Sequence, residues 1–216
     1  MKNYFKVAFT LLLFYGLPVL IYFLRNHDLS LTTWQLIPVV VGCAMLLITQ
    51  PTITKADFEN TKDRGSMIIL LVTSWLGQWV LMIDWIFIRN MPDFQENNYA
   101  FYLGLMGMIT GLTFRYIAIR ELKENFTNTV GKITPTLIKT GPYSYLRHPS
   151  YTGAWLFLVA TGVTLQGFWS TMIILILITG SYVYRVSIEE KFLISIFGEK
   201  YTDYQKHTWK LFPFIW

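Results

Sequence analysis

The stretch Pro149-Ser-Tyr-Thr-Gly-Ala-Trp-Leu-Phe-Leu-Val-Ala-Thr-Gly-Val-Thr-Leu-Gln-Gly-Phe-Trp-Ser-Thr-Met-Ile-Ile-Leu-Ile-Leu-Ile-Thr-Gly-Ser-Tyr-Val-Tyr184 contains no Asp, Glu, Lys, Arg or His. At ~1.5 Å per helical residue it is too long for one crossing of a hydrocarbon core about 30 Å thick. Gln166-Gly167 near its middle supplies a turn, so the run reads as two short helices forming a hairpin. Upstream, residues 7–24, 31–50, 66–83 and 97–114 are also free of ionisable side chains. Each approaches the ~20 residues that one span requires. The expectation is an all-α integral membrane protein of about six transmembrane helices, the last two a hairpin.

Composition agrees. Of 216 residues, 53% are hydrophobic and 14% are charged, against about 25% charged in a soluble domain. A soluble enzyme and a disordered chain are both excluded on this ground. The net charge of +5 is not gathered into a basic run, so no nucleic acid is expected as a partner, and the charge serves membrane orientation instead. Sixteen of the 18 basic residues fall on one side of a six-span arrangement, leaving only Arg25 and Arg89 on the other. That asymmetry predicts a multi-pass protein with both termini cytoplasmic. A five-span arrangement would carry the basic tail across the membrane. The first run is longer than a signal-peptide core of about 7–15 residues, contains Pro18 and lacks an Ala-x-Ala-like exit, so it is expected to be a retained anchor. Cys43 is the single cysteine; it excludes an internal disulfide and is read as a packing residue.

Gly104, Gly107 and Gly111 share one helical stripe, a spacing that admits close helix approach. Asp84, between Trp79 and Trp85 and five residues before Arg89, is expected at the interface within an aromatic belt, although an intramembrane carboxylate is also a functional candidate.

Chemistry-bearing residues concentrate in the last third of the chain. In Lys139-Thr-Gly-Pro-Tyr-Ser-Tyr-Leu-Arg-His-Pro-Ser-Tyr-Thr-Gly153, Gly141-Pro142 forces a turn and Pro149 restricts His148 just before a helix begins. The helix N-terminus and Arg147 suit an anionic group. Alone, these features equally describe a lipid-headgroup site or an interfacial loop. A second cluster follows the hairpin. Arg185 and Glu189 are four residues apart and share a helix face, whereas Glu190 is expected to face solvent. The apolar tail Leu211-Phe-Pro-Phe-Ile-Trp216 is expected to pack back on the bundle. No strand-associated Gly-x-Gly-x-x-Gly, phosphate-binding loop or metal-ligand spacing of His27, His148 and His207 is present, so no nucleotide fold and no metal are expected.

The pattern Thr136-Leu-Ile-x-x-Gly-Pro-Tyr143…Arg147-His-Pro-Ser-Tyr151-x-Gly153 resembles the isoprenylcysteine carboxyl methyltransferase family, which belongs with phospholipid N-methyltransferases in a wider group. Arg185-x-x-x-Glu189-Glu190, Phe197-Gly-x-x-Tyr201-x-x-Tyr204 and Phe212-Pro213 resemble its second motif, and Asn125-Phe126 the approach to the first. The resemblance covers about the last 90 residues. It implies a membrane methyltransferase using S-adenosyl-L-methionine at the cytoplasmic face. By position, Leu137, Ile138, Tyr143, His148, Pro149, Ser150, Tyr151 and Glu189 would hold the cofactor. Arg185, the substrate-binding candidate, and Glu189 would be catalytic. Pro135 stands where prenylcysteine enzymes often carry His, a departure that bears on the substrate more than on the cofactor.

The implied organisation is residues 1–120 as four N-terminal membrane helices and residues 121–216 as a methyltransferase core. The acceptor would be lipophilic and enter from the bilayer, among membrane lipids, with an isoprenylcysteine-type carboxylate first. A phosphatidylethanolamine-type N-methyltransferase and a non-catalytic membrane protein retaining the fold stay open as alternatives.

Overall fold

The first charge-free run folds as one interrupted helix, α1 (Lys2–Leu11) and α2 (Leu17–Asn26), joined by the π-helical turn Leu12–Gly16. Pro18 has no N–H to give the carbonyl four residues back, and a wider turn at that point absorbs the defect. The computed structural model describes residues 2–26, 34–88, 98–131 and 136–214. His27, Arg89, Pro135 and residues 31–33 of the second run lie outside the described residues, as does the side chain of Arg25.

The remaining helices are α3 (Leu36–Ile48), the short α4 (Lys55–Phe58), α5 (Ser66–Ile88), α6 (Asn98–Leu122), α7 (Pro149–Thr164), α8 (Phe168–Phe197) and α9 (Glu199–Lys206). Four helical stretches, Tyr4–Leu24, Ser66–Phe87, Asn98–Asn125 and Phe168–Phe197, are long and apolar enough to cross a membrane. α3 and α7 are shorter, with 13 and 16 residues. Large apolar side chains such as Leu24, Ile37, Leu76, Leu103, Met106 and Ile176 face outward, a girdle that no water-soluble surface carries. The protein is an all-α, multi-pass membrane protein.

α7 and α8 form the expected hairpin, turning through Leu165, Gln166 and Gly167. α6 lies against α7 and α5 against α8. The glycine stripe explains the first contact. A Cβ on Gly104 would sit 2.4 Å from the Thr164 backbone nitrogen, and one on Gly111 would sit 2.7 Å from the Gly153 carbonyl oxygen. Only glycine lets the two backbones meet, so the stripe packs within the bundle.

Asp84 has a more specific role than a belt position. It is buried, and its Oδ2 accepts the Ser170 backbone N–H at 3.1 Å. A carboxylate there satisfies an unpaired donor in the first turn of α8.

α8 has 30 residues, and at ~1.5 Å each it outruns a ~30 Å core by several turns. Its C-terminal portion, with Arg185, Glu189 and Glu190, therefore reaches past the hydrocarbon. There it meets the start of α7, the loop before α5 and the segment after α6.

Candidate active site

Gly141, at φ +56°, permits the left-handed step into a 3-10 turn, Gly141–Ser144. Residues 145–148 then pair with the tail. Arg147 N donates to Trp209 O at 2.8 Å, His148 N to Lys210 O at 3.1 Å and Trp209 N to Tyr145 O at 2.9 Å. Leu211 is buried, and Phe212 meets Trp155 edge-on. Leu211 and Phe212 thus pack back on the bundle and fix the His148 loop, whereas Phe214 is exposed and Ile215 and Trp216 lie outside the described residues.

Glu190 does not face solvent. It is buried, its Oε1 receives Arg147 Nε at 2.6 Å, and Lys210 Nζ lies 3.6 Å from Oε2. The chain pairing that brings Arg147 and Lys210 together covers this side of α8, which overturns the solvent-facing expectation. Arg147 also donates to the carbonyls of Gln205 and Thr208. The Glu190–Arg147 pair is thus the clamp between α8, the His148 loop and α9.

Inside that clamp lies a partly open cleft of about 880 Å³, counting the space at its mouth that is open to solvent. Leu137, Ile138, Tyr143, His148, Ser150, Tyr151, Arg185 and Glu189 all line it, together with Tyr201 and Tyr204. Pro149 does not; it is buried at the first position of α7 and sets the helix start. His148 stacks on Tyr151 with rings 5.6 Å apart and only 3° from parallel. Tyr204 donates its hydroxyl proton to the Tyr143 carbonyl. Burial pushes the Tyr143 and Tyr201 phenols well above their usual range, with the carboxylates of α8 adding to the effect. Both stay protonated at neutral pH. Tyr201 Oη has no hydrogen-bond partner among the described residues.

Arg185 is held more tightly than its sequence position suggested. Its Nε donates to Tyr151 Oη at 3.2 Å, one terminal nitrogen donates to Asp63 and to Ser66 Oγ, and the other to the Asn128 carbonyl at 2.8 Å. Four of its five N–H donors are thereby engaged. Tyr151 passes the connection on, donating to Glu189 Oε2 at 2.8 Å. The result is a continuous chain from Asp63 through Arg185 and Tyr151 to Glu189. Asp63 in turn accepts the backbone N–H groups of Met67 and Val130, tying the start of α5 to the segment after α6.

A second cavity, largely apolar and about 1100 Å³ when the solvent-open space is counted, runs among α1, α3, α5 and α7. Phe126, Thr127, Tyr151 and Arg185 line both cavities. A polar cleft and an apolar channel therefore share a wall, and Arg185 and Tyr151 stand in it. Neither Asp63 nor the apolar channel was assigned from the sequence. Asp63 pairs across 122 positions, and no short motif carries such a contact.

Residues 102–195 match the model of the isoprenylcysteine carboxyl methyltransferase family. Curated relatives are named protein-S-isoprenylcysteine O-methyltransferases. The protein-S-isoprenylcysteine O-methyltransferase of Dictyostelium discoideum is 30% identical over 75% of this chain and 66% of its own length.

The chain belongs to the isoprenylcysteine carboxyl methyltransferase family.

The rat member of that family is 29% identical over 68% of this chain and 51% of its own length, so the chain spans between half and two thirds of these two relatives. The solved structure of the eukaryotic intramembrane Ras methyltransferase ICMT shares the fold, with TM-score 0.57, 19% identity, and coverage of 99% of this chain and 85% of that one. The stretch matched to the isoprenylcysteine carboxyl methyltransferase family contains Tyr143, His148, Tyr151, Arg185 and Glu189, and ends before Tyr201 and Tyr204, which complete the cleft.

Proposed function

We propose that the protein is an S-adenosylmethionine-dependent membrane methyltransferase that esterifies the carboxylate of an isoprenylcysteine-type lipid. The observation that carries this reading is the shared wall: one cavity suits a polar cofactor, the other suits a lipid, and they meet at Arg185 and Tyr151. The cleft suits the cofactor in its donor set. Glu189 offers a carboxylate to hydroxyl or ammonium groups, Tyr201 a neutral unpartnered phenol, and Tyr143, Tyr151 and Tyr204 ring faces to a cation.

When bound, S-adenosylmethionine supplies a sulfonium methyl, whose displacement by a carboxylate oxygen forms the C–O bond as the C–S bond breaks, with no proton transfer. Positioning is then the main task left to the protein. Arg185 keeps one N–H for the acceptor and is itself fixed by Asp63, Ser66, Asn128 and Tyr151. Because a guanidinium only donates, it orients a carboxylate and cannot hydrogen-bond an ammonium as acceptor. Arg115 also lines the apolar channel, and no carboxylate or imidazole does among the described residues. An amine acceptor would need such a base to lose its proton. These features favour O-methylation over N-methylation of a phospholipid amine.

The polar cleft and the wall it shares with the apolar channel lie beside Arg147 and beside Asp63, which Lys62 and Arg64 flank, and this favours a cytoplasmic cofactor mouth and cytoplasmic termini. Residues 121–216 form the catalytic core in this reading and residues 1–120 shape the channel, although Asp63 and Ser66 belong to the core by contact.

The test is the pH dependence of methyl transfer in lipid nanodiscs, with prenylcysteine and phosphatidylethanolamine acceptors side by side. A carboxylate acceptor, ionised above about pH 5, gives a flat rate from there into the alkaline range. A rate rising with pH, confined to the amine acceptor, would overturn the assignment.

A further inference from the structure

Deep in the apolar channel, three polar side chains from three segments meet. Tyr15, in the π-helical turn, donates its hydroxyl proton to Gln78 Oε1 on α5 at 2.6 Å. Tyr15 Oη also lies 3.0 Å from Cys43 Sγ on α3. A hydroxyl has one proton, so with that proton given to Gln78, Cys43 must be the donor to Tyr15. The order Cys43 to Tyr15 to Gln78 leaves the Gln78 Nε2 hydrogens as the free end. Gln78 is only 8% exposed, it lines the channel, and its Nε2 has no hydrogen-bond partner among the described residues.

The channel is otherwise lined largely by apolar side chains, among them Phe14, Leu70, Leu71, Trp75 and Leu158, and Ser74, one turn before Gln78, already donates its hydroxyl to the Leu70 carbonyl at 2.7 Å. A hydrocarbon chain filling the channel would leave the amide donor buried without a partner, which is unfavourable. An oxygen on that chain would accept from it.

Position along the bundle gives the spacing. Ser66 Oγ touches the Arg185 guanidinium, and Gln78 follows it twelve residues along the same helix, or about 18 Å at ~1.5 Å per residue. We propose that the Tyr15–Cys43–Gln78 cluster selects the tail of the acceptor: an anionic amphiphile whose carboxylate meets Arg185 and whose hydrocarbon tail carries a carbonyl or hydroxyl oxygen near Gln78. This rests on the methyltransferase reading and narrows its substrate class from a plain isoprenoid to an oxygen-bearing tail.

The test uses the full chain in nanodiscs and two probes, N-acetyl-S-pentadecyl-cysteine and its analogue with a ketone toward the far end of the tail. Binding is read from quenching of tryptophan fluorescence, since Trp75 lines the channel, and methyl transfer is measured on the same samples. The wild type binds the ketone about tenfold more tightly, the scale of one buried hydrogen bond. Gln78→Leu abolishes that preference and leaves affinity for the plain tail unchanged or improved. Gln78→Met, of similar length, serves the same purpose should the leucine variant fail to fold. Equal affinities in the wild type, or a Gln78 substitution that weakens both probes alike, would overturn the proposal and reduce the cluster to interhelical packing. Binding of neither probe would overturn it as well. A Gln78-dependent preference without methyl transfer supports the tail site and contradicts the methyltransferase reading; methyl transfer to both probes with no preference does the reverse.

Discussion

Asp63 and Arg185 are both almost completely withdrawn from solvent, so each charge depends on the other, and loss of one partner in such a pair costs about 3–5 kcal/mol. In the proposed reaction the guanidinium meets the acceptor, and Asp63 then acts on turnover through the position of Arg185. Asp63→Asn keeps an oxygen for the Met67 N–H and removes the charge. It is expected to lower turnover by roughly 10- to 100-fold, the scale of a misplaced reacting group, while cofactor affinity by calorimetry changes little. Equal loss of both would contradict a positioning role. Glu189→Gln should separate the other way, weakening cofactor binding by about tenfold or more, since a hydrogen bond to a charged group contributes ~1.5–3 kcal/mol. Undiminished binding by a folded Glu189→Gln protein would remove Glu189 from the cofactor site.

At the scale of elements, the α6–α7 contact sets where the His148 loop begins. A Cβ on Gly153 would lie 2.6 Å from both the Arg115 nitrogen and the Gly111 oxygen, whereas at Gly180 nothing stands within 4 Å. Gly153→Ala is therefore expected to destabilise by about 1–3 kcal/mol or more, and Gly180→Ala to gain up to ~1 kcal/mol from helix propensity. Thermal unfolding in detergent distinguishes them, and similar shifts for the two would refute the backbone-contact account. These elements were legible in the sequence because charge-free length, a Gln-Gly turn and a glycine stripe are local patterns. Glu190 was misread for the opposite reason. Helical geometry gives the angle at which a side chain leaves α8, but what covers that angle is Arg147 and the tail, distant in sequence. The same holds for Asp63, and for Gln78, whose partner Tyr15 lies 63 positions away.

For the whole molecule, the account requires the loops around the cleft to share one side of the membrane, with the α7–α8 turn on the other. The single cysteine is buried, so the native background to thiol labelling is low. A membrane-impermeant maleimide should label Lys62→Cys and Lys200→Cys from the cytoplasmic side only, and Trp169→Cys from the opposite side only. Labelling of all three from one side would contradict the hairpin crossing. The proposed function adds a further requirement, that a water-soluble donor and a lipid acceptor reach Arg185 from different directions.

The most direct measurement of that convergence is single-turnover transfer of a labelled methyl group from S-adenosylmethionine to a prenylcysteine acceptor in nanodiscs, followed by alkaline hydrolysis. The account predicts label in the lipid fraction that alkali releases as methanol, because the product is a carboxyl ester. Label that survives alkali, as on nitrogen, or the absence of any transfer from a protein that binds the cofactor, would contradict it.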